Sequence, residues 1–347
     1  MSATPVAPAR AYPLPKDRLE RRRADGHPPI NEMQALAEAS RCLYCHDAPC
    51  IQACPTAIDI PEFIRRIATR SYKASAKTIL ESNILGLSCA RVCPTEVLCV
   101  GACVYNHMDR PPIQIGRLQQ FSTEWAYARS IRYFQAGARN GKRVACVGAG
   151  PASLAAAAEL TQRGYDVTIF EGRRLPGGLN VTGVAPYKLM SEEALREVQF
   201  ILSIGGIELQ QGQWVGREKL RELEKHFEAI FLGVGLGRDS RLRVPGEDVE
   251  GVRGAVEVIE EMKNRPAGEL AWLAEVRRAV VVGGGNTSID VVRELRKLLV
   301  PEVTLLYRRG EDALPAYAHE VAAARAEGAQ ILFHRQCVEV IAHDGRV

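Results

Sequence analysis

Ten cysteines occur in 347 residues, and eight of them crowd between Cys42 and Cys103. Their spacing is Cys42-x2-Cys45-x4-Cys50-x3-Cys54-Pro55, then Cys89-x3-Cys93-Pro94 and Cys99-x3-Cys103. Thiolates spaced this way suit a chain wrapped around an iron–sulfur cube, and runs that end in Cys-Pro can send their last Cys to a second cluster. Eight thiols in two groups, with two Cys-Pro pairs, point to two 4Fe–4S clusters. Zinc is the competing reading, but it favours paired Cys-x2-Cys knuckles, and only Cys42 and Cys45 have that spacing. Disulfides fit less well, because the first 30 residues lack a secretory apolar run and the expected compartment is the reducing cytoplasm. Which thiols share a cluster cannot be read from spacing alone. Cys146 and Cys337 fall in apolar, strand-like runs and read as core residues.

Two glycine-rich stretches carry a different chemistry. In Gly148-Ala149-Gly150-Pro151-Ala152-Ser153 the glycines let the backbone approach a pyrophosphate at a helix N-terminus. Glu171, 21 residues after Gly150, is placed to hold a ribose hydroxyl. The second stretch reads Gly283-Gly284-Gly285-Asn286-Thr287-Ser288, with Ser288 in the third small position. Its following strand ends at Tyr307-Arg308-Arg309, where an NAD site often has an acid. Arg308 can pair with a 2′-phosphate and so favour NADP, whereas Glu311 and Asp312 nearby oppose one. NAD and NADP both stay open. No Ser/His/Asp triad or His-rich metal cluster is visible, and no catalytic side chain is assigned. His46, between ligand-type cysteines, reads equally as a tuning group or a solvated loop residue. Trp125, Trp214 and Trp272 read as packing residues.

These residues need elements to place them. Asp59 and Pro61 signal a helix start before Glu62-Phe63-Ile64-Arg65-Arg66-Ile67, and Ile115–Ala128 reads as another helix. No alternating strand pattern appears in the first third. From Gly141 the grammar becomes strand (143–147), glycine turn, helix (151–163) and strand (166–170), a βαβ unit. It returns about 135 residues later as strand 279–282, helix 287–299 and strand 303–307. The expected order is an irregular arm at 1–30, a helical cluster domain at 31–135, one dinucleotide-binding domain at 136–240 and a second at 241–347. The 46% hydrophobic and 25% charged content suits a multidomain folded chain. A net charge of +4 is too mild to imply nucleic acid, Arg21-Arg22-Arg23 reads as a solvated tail, and no run approaches a membrane span.

The text Ser40-Arg41-Cys42-Leu43-Tyr44-Cys45-His46-Asp47-Ala48-Pro49-Cys50, Ala90-Arg91-Val92-Cys93-Pro94-Thr95-Glu96 and Ile115-Gly116-Arg117-Leu118-Gln119-Gln120-Phe121 resembles a known domain. It is similar to the N-terminal helical domain shared by dihydropyrimidine dehydrogenases and the glutamate synthase small subunit. Pro176-Gly177-Gly178-Leu179 likewise resembles the flavin-side loop of two-dinucleotide-domain flavoproteins, although a simple turn would read the same. The resemblance implies an α-helical, ferredoxin-like domain followed by Rossmann-like FAD and NAD(P) domains. It further implies one cluster on Cys42, Cys45, Cys50 and Cys103. The other takes Cys54, Cys93, Cys99 and Gln119, leaving Cys89 a non-ligand. The implied activity is oxidation of NAD(P)H through FAD and two clusters, with electrons passed to a partner subunit. That partner would be an FMN-containing dihydropyrimidine dehydrogenase subunit reducing uracil or thymine, or the glutamate synthase large subunit. Gln119 and Gly178-Leu179-Asn180 lean towards the first. A Cys-rich zinc or scaffold protein is the non-enzymatic alternative. Family members continue into a strand that returns to the flavin domain, so the text ending at Val347 reads as C-terminally incomplete, with stable FAD binding in question.

Overall fold

The computed structural model describes residues 12, 14–22, 26, 28–237 and 239–347. Contacts divide the chain into two units. The first holds Gly26–Asn180 and Glu192–Gly235; the second holds Val181–Ser191 and Leu236–Val347 with the described part of 13–25.

The first unit begins with helices α1 (Glu32–Ala39), α2 (Pro49–Gln52), α3 (Ile60–Ala68), α4 (Tyr72–Ser82), α5 (Gly86–Val92) and α6 (Ile115–Ala128). Local chemistry fixes their starts. Asn31 and Gln34 form a reciprocal capping box on α1, and Asp59 accepts from the Glu62 N–H at 3.1 Å to cap α3. On α3 the residues Ile60, Phe63, Ile64 and Ile67 are buried, the i, i+3, i+4, i+7 stripe of a helix facing a core. Each such side chain contributes about 1.5–3 kcal/mol when removed from water. On α6 the buried stripe is Ile115, Leu118, Gln119, Ser122, Thr123 and Ala126, so Gln119 points inward. Gly86 lets α5 approach α4, since a Cβ there would lie 2.8 Å from Ile79 Cγ2.

A four-stranded parallel sheet completes this unit. Its strands are β1 (Arg143–Val147), β2 (Asp166–Glu171), β3 (Ile207–Gln211) and β4 (Ala229–Leu232), in the order β3-β2-β1-β4. Helices α7 (Pro151–Gln162), α8 (Leu179–Thr182), α9 (Ser191–Leu202) and α10 (Arg217–His226) connect them. The order reverses beside β1, which opens a crevice at its C-terminal end where the first glycine loop lies. The helices and the sheet share apolar clusters: Leu85 packs with Val198 and Ile201, and Leu87 with Tyr127 and Phe200. Cys146 is fully buried in β1, as its apolar run implies.

The second unit contains α11 (Ala255–Asn264), α12 (Trp272–Glu275), β5 (Arg278–Val282), α13 (Asn286–Lys297), β6 (Glu302–Tyr307), α14 (Ala318–Ala326) and β7 (Gln330–Phe333). Its strands pair in parallel as β5-β6-β7. Buried charge ties two outlying segments into this unit. Lys188 pairs with Asp290 at 2.8 Å and Glu320 at 2.7 Å, and the Tyr187 hydroxyl donates to Asp290 at 2.6 Å. Arg18 and Glu20 are fully buried and bonded at 2.9 Å, and Glu20 accepts from the Ser191 N–H. The arm is therefore not irregular throughout, because Leu19–Arg22 forms a 3-10 turn whose Leu19 packs on the core of this second unit. The reading of Arg21-Arg22-Arg23 as a solvated tail concerns side chains outside the described residues. Cys337 departs from expectation as well: it follows β7 in irregular chain, is only half-buried, and is no core residue. Among the described residues no helix is long and apolar enough to cross a membrane.

Candidate functional site

Eight of the cysteines lie in the helical part, in two groups. Cys42, Cys45, Cys50 and Cys103 line a single pocket, closed by Ile60, Ile64 and Ile115. Burial pushes the Cys50 thiol up to about 11, with Cys42 adding to the rise. Cys42 is raised for the same first reason, with Cys45 and Cys103 as charged neighbours. A second group forms around Cys54, Cys93 and Cys99. Burial, then the nearby Cys54, pushes Cys99 up to about 12. Cys93 is raised by its hydrogen bond to Cys89, by burial and by Cys89, Cys99 and Cys54. Cys89 moves the other way, down to about 7, because Cys93 first, and then Gln119 and Asn83, hydrogen-bond to its sulfur.

Crowded, half-buried to buried thiols raise one another's pKa because several thiolates cannot share one desolvated pocket, and bound iron would remove that conflict. The donor set therefore fits iron–sulfur clusters. Among the described residues no three His, Cys, Asp or Glu side chains converge on a single metal ion. The fit rests on cluster-sized grouping. Gln119 is buried beside the second group, its Nε2 donating to the Gly86 carbonyl at 2.8 Å. His46 is solvent-exposed, its ring 3.3 Å from Asp47.

Gly148 has φ +90°, and a Cβ there would lie 2.5 Å from the Gly233 carbonyl oxygen. Only glycine suits that position. Gly150 caps α7 and Pro151 takes its first turn, leaving the N–H groups of Ala152 and Ser153 at the open helix start. Gly177 donates to the Ala149 carbonyl at 2.8 Å, and a Cβ on Gly178 would lie 2.7 Å from Gly150 Cα. Leu179, half-exposed, opens α8 directly after this turn. The two loops are thus stacked backbone on backbone. Glu171 ends β2 and accepts from the Ala149 N–H and from the Arg173 N–H, both at 2.7 Å, one on each oxygen, so a hydroxyl would share an oxygen already bonded. Among the described residues Ser153 Oγ is buried without a hydrogen-bond partner, close to where a Gly233 Cβ would stand. These features fit a dinucleotide. Trp214, expected to be a core packing residue, is instead 77% exposed and rests on the Gly172 backbone, next to Glu171.

The second glycine loop has the same build. Gly283 has φ +145°, a Cβ on Gly284 would overlap the Tyr307 ring at 2.4 Å, and Gly285 is open to its surroundings. Asn286 accepts from the Tyr317 N–H at 3.0 Å, and Thr287 follows in the first turn of α13. Arg308 is exposed beyond the end of β6.

Comparison with known proteins agrees with this geometry. Residues 20–131 match the family model for the 4Fe–4S cluster domain II of dihydropyrimidine dehydrogenase, and residues 142–347 match that of pyridine nucleotide–disulphide oxidoreductases. The chain belongs to the pyridine nucleotide–disulphide oxidoreductase family. It is an FAD- and iron–sulfur-dependent NAD(P)H oxidoreductase. The NAD-dependent dihydropyrimidine dehydrogenase subunit PreT of Escherichia coli K12 is 38% identical over 306 residues, 88% of this chain and 72% of that one. PreT of Salmonella typhimurium is 37% identical with the same coverage. The glutamate synthase [NADPH] small chain of Escherichia coli K12 is 33% identical over 316 residues, 89% of this chain and 66% of that one.

Proposed function

We propose that this oxidoreductase is the electron-input subunit of a dihydropyrimidine dehydrogenase, taking electrons from NAD(P)H and passing them through two 4Fe–4S clusters to a partner that reduces uracil or thymine. The observation that carries this reading is the sorting of the thiols into two groups within the same unit as the first glycine loop. Cys42, Cys45, Cys50 and Cys103 would hold one cluster; Cys54, Cys93, Cys99 and the Gln119 oxygen would hold the other. The hydride and single-electron chemistry belongs to the bound nicotinamide, flavin and clusters.

The chain's own residues bind and orient. Backbone N–H groups between Gly148 and Ser153 would cradle a flavin pyrophosphate, with Gly178 and Leu179 closing over it and Glu171 on the ribose. Gly283, Gly284, Gly285, Asn286 and Thr287 would do the same for the nicotinamide dinucleotide, with Arg308 at its adenosine ribose. Ile60, Ile64 and Ile115 would form an apolar wall on one side of the first cluster and limit water there.

The PreT relatives favour the pyrimidine reading, and Gln119 supports it. The glutamate synthase relative supports a second: the same electron input serving a glutamine-using large subunit. With a pyrimidine-reducing partner subunit, uracil or thymine should accelerate NAD(P)H oxidation by the complex. Stimulation only by glutamine, with a glutamate synthase large subunit, would move the assignment to the second reading.

A further inference from the structure

Glu197 is fully buried, yet the electron route described above does not use it. It sits on α9, in the flavin-type part, and reaches α5, which carries Cys89 and is followed directly by Cys93. Its carboxylate accepts from the backbone N–H of Leu87 at 2.8 Å and of Ser88 at 3.0 Å, from the Ser88 hydroxyl, and from the Tyr127 hydroxyl at 3.4 Å. One turn earlier, Glu193 pairs with Arg91 at 3.3 Å, both buried. Burying a carboxylate among neutral donors is costly, and apolar packing of Leu87 and Phe200 already joins these helices. The bonds contribute position more than stability.

What they position is the segment Gly86–Ser88. Gly86 presents its carbonyl to Gln119 Nε2 at 2.8 Å. An amide has one nitrogen and one oxygen, so committing the nitrogen to Gly86 turns the oxygen away from it. The oxygen is the end that can bind iron. Cys89, bonded to both Cys93 and Gln119, follows directly after this segment in α5.

We propose that Glu197 is a positioning residue for the second cluster: it clamps Leu87 and Ser88 so that the Gly86 carbonyl orients Gln119 as an oxygen ligand. The flavin-type part of the fold thereby sets the geometry of that cluster. This inference rests on the reading of Gln119 as a ligand.

The test uses the whole chain, reconstituted anaerobically, with the variants E197Q, S88A and Q119A. Iron content, thermal melting and the low-temperature EPR spectrum of the reduced protein are read for each. E197Q should keep the spectrum and potential of the first cluster while shifting those of the second. Q119A should perturb the same cluster, with iron falling from about eight towards about four per chain. If E197Q does not fold, S88A, which removes only the hydroxyl bond, should show the same selective shift to a smaller extent. A change in melting temperature with both clusters spectrally unaltered in E197Q and S88A, while Q119A is altered, would overturn the positioning role alone. Unaltered clusters in Q119A would overturn the ligand reading and the inference with it.

Discussion

Just past β6, Arg308 stands exposed with no ion pair among the described residues, while Glu311 is held by Arg325 at 2.8 Å. That pairing keeps the Glu311 carboxyl below its ordinary range and engages the charge that would most directly oppose a phosphate near Arg308. Arg308→Ala should therefore weaken NADPH binding by about 1.5–3 kcal/mol, the range for a charged hydrogen bond, and leave NADH nearly unchanged. Paired titrations of reduced cofactor on wild type and variant check this; equal responses would make Arg308 a solvated bystander. Residue-scale reading of the sequence had uneven success for physical reasons. Gln119 reads as a surface amide when judged by residue type, but it falls on the period of Ile115, Leu118, Ser122 and Ala126, a stripe that the fold buries. Cys89 and Cys93 are four residues apart, so spacing cannot tell ligand from neighbour, and the contacts of Cys89 with Cys93, Gln119 and Asn83 become visible only in the fold. Trp214 was misread because an exposed indole and a core indole have the same sequence signature.

Among the elements, the βαβ units were the most legible, since a glycine turn between an apolar run and an Ala-rich helix has few other uses. Strands and helices fall within one or two residues of their expected bounds: 151–162 for the first helix and Ile115–Ala128 for α6. The 3-10 turn at Leu19–Arg22 was not legible, because its order comes from a buried Arg18–Glu20 pair and long-range bonds to Ser191. The glycine loops offer an element-scale prediction. Gly148→Ala places a Cβ 2.5 Å from a carbonyl oxygen at φ +90°, so it should cost about 1–3 kcal/mol of stability and abolish flavin retention. Gly150→Ala meets its nearest neighbour at 3.8 Å with ordinary φ, so it should melt like wild type but bind flavin less well. Thermal melts and the flavin absorbance of the purified variants separate the two effects. Equal melting and equal flavin content in both variants would remove this loop from the dinucleotide site.

At the scale of the molecule, the helical part and the first sheet share apolar clusters and the Glu197 clamp, whereas the three-stranded second sheet belongs to a separate unit that also gathers 181–191. This grouping was hidden from the sequence because it depends on which buried charges meet: Lys188 with Asp290 and Glu320, and Glu193 with Arg91. The chain spans 72% of the length of its PreT relatives. The central claim is that one chain carries flavin and two clusters that accept electrons from a reduced nicotinamide. The most direct measurement is an anaerobic titration of the reconstituted chain with NADH and NADPH, following flavin absorbance and cluster EPR together with metal content. The account predicts about eight irons per chain, bleaching of the flavin, and cluster signals that grow with added reductant. Zinc in place of iron, or a flavin that bleaches while no cluster signal appears at any reductant level, would contradict it.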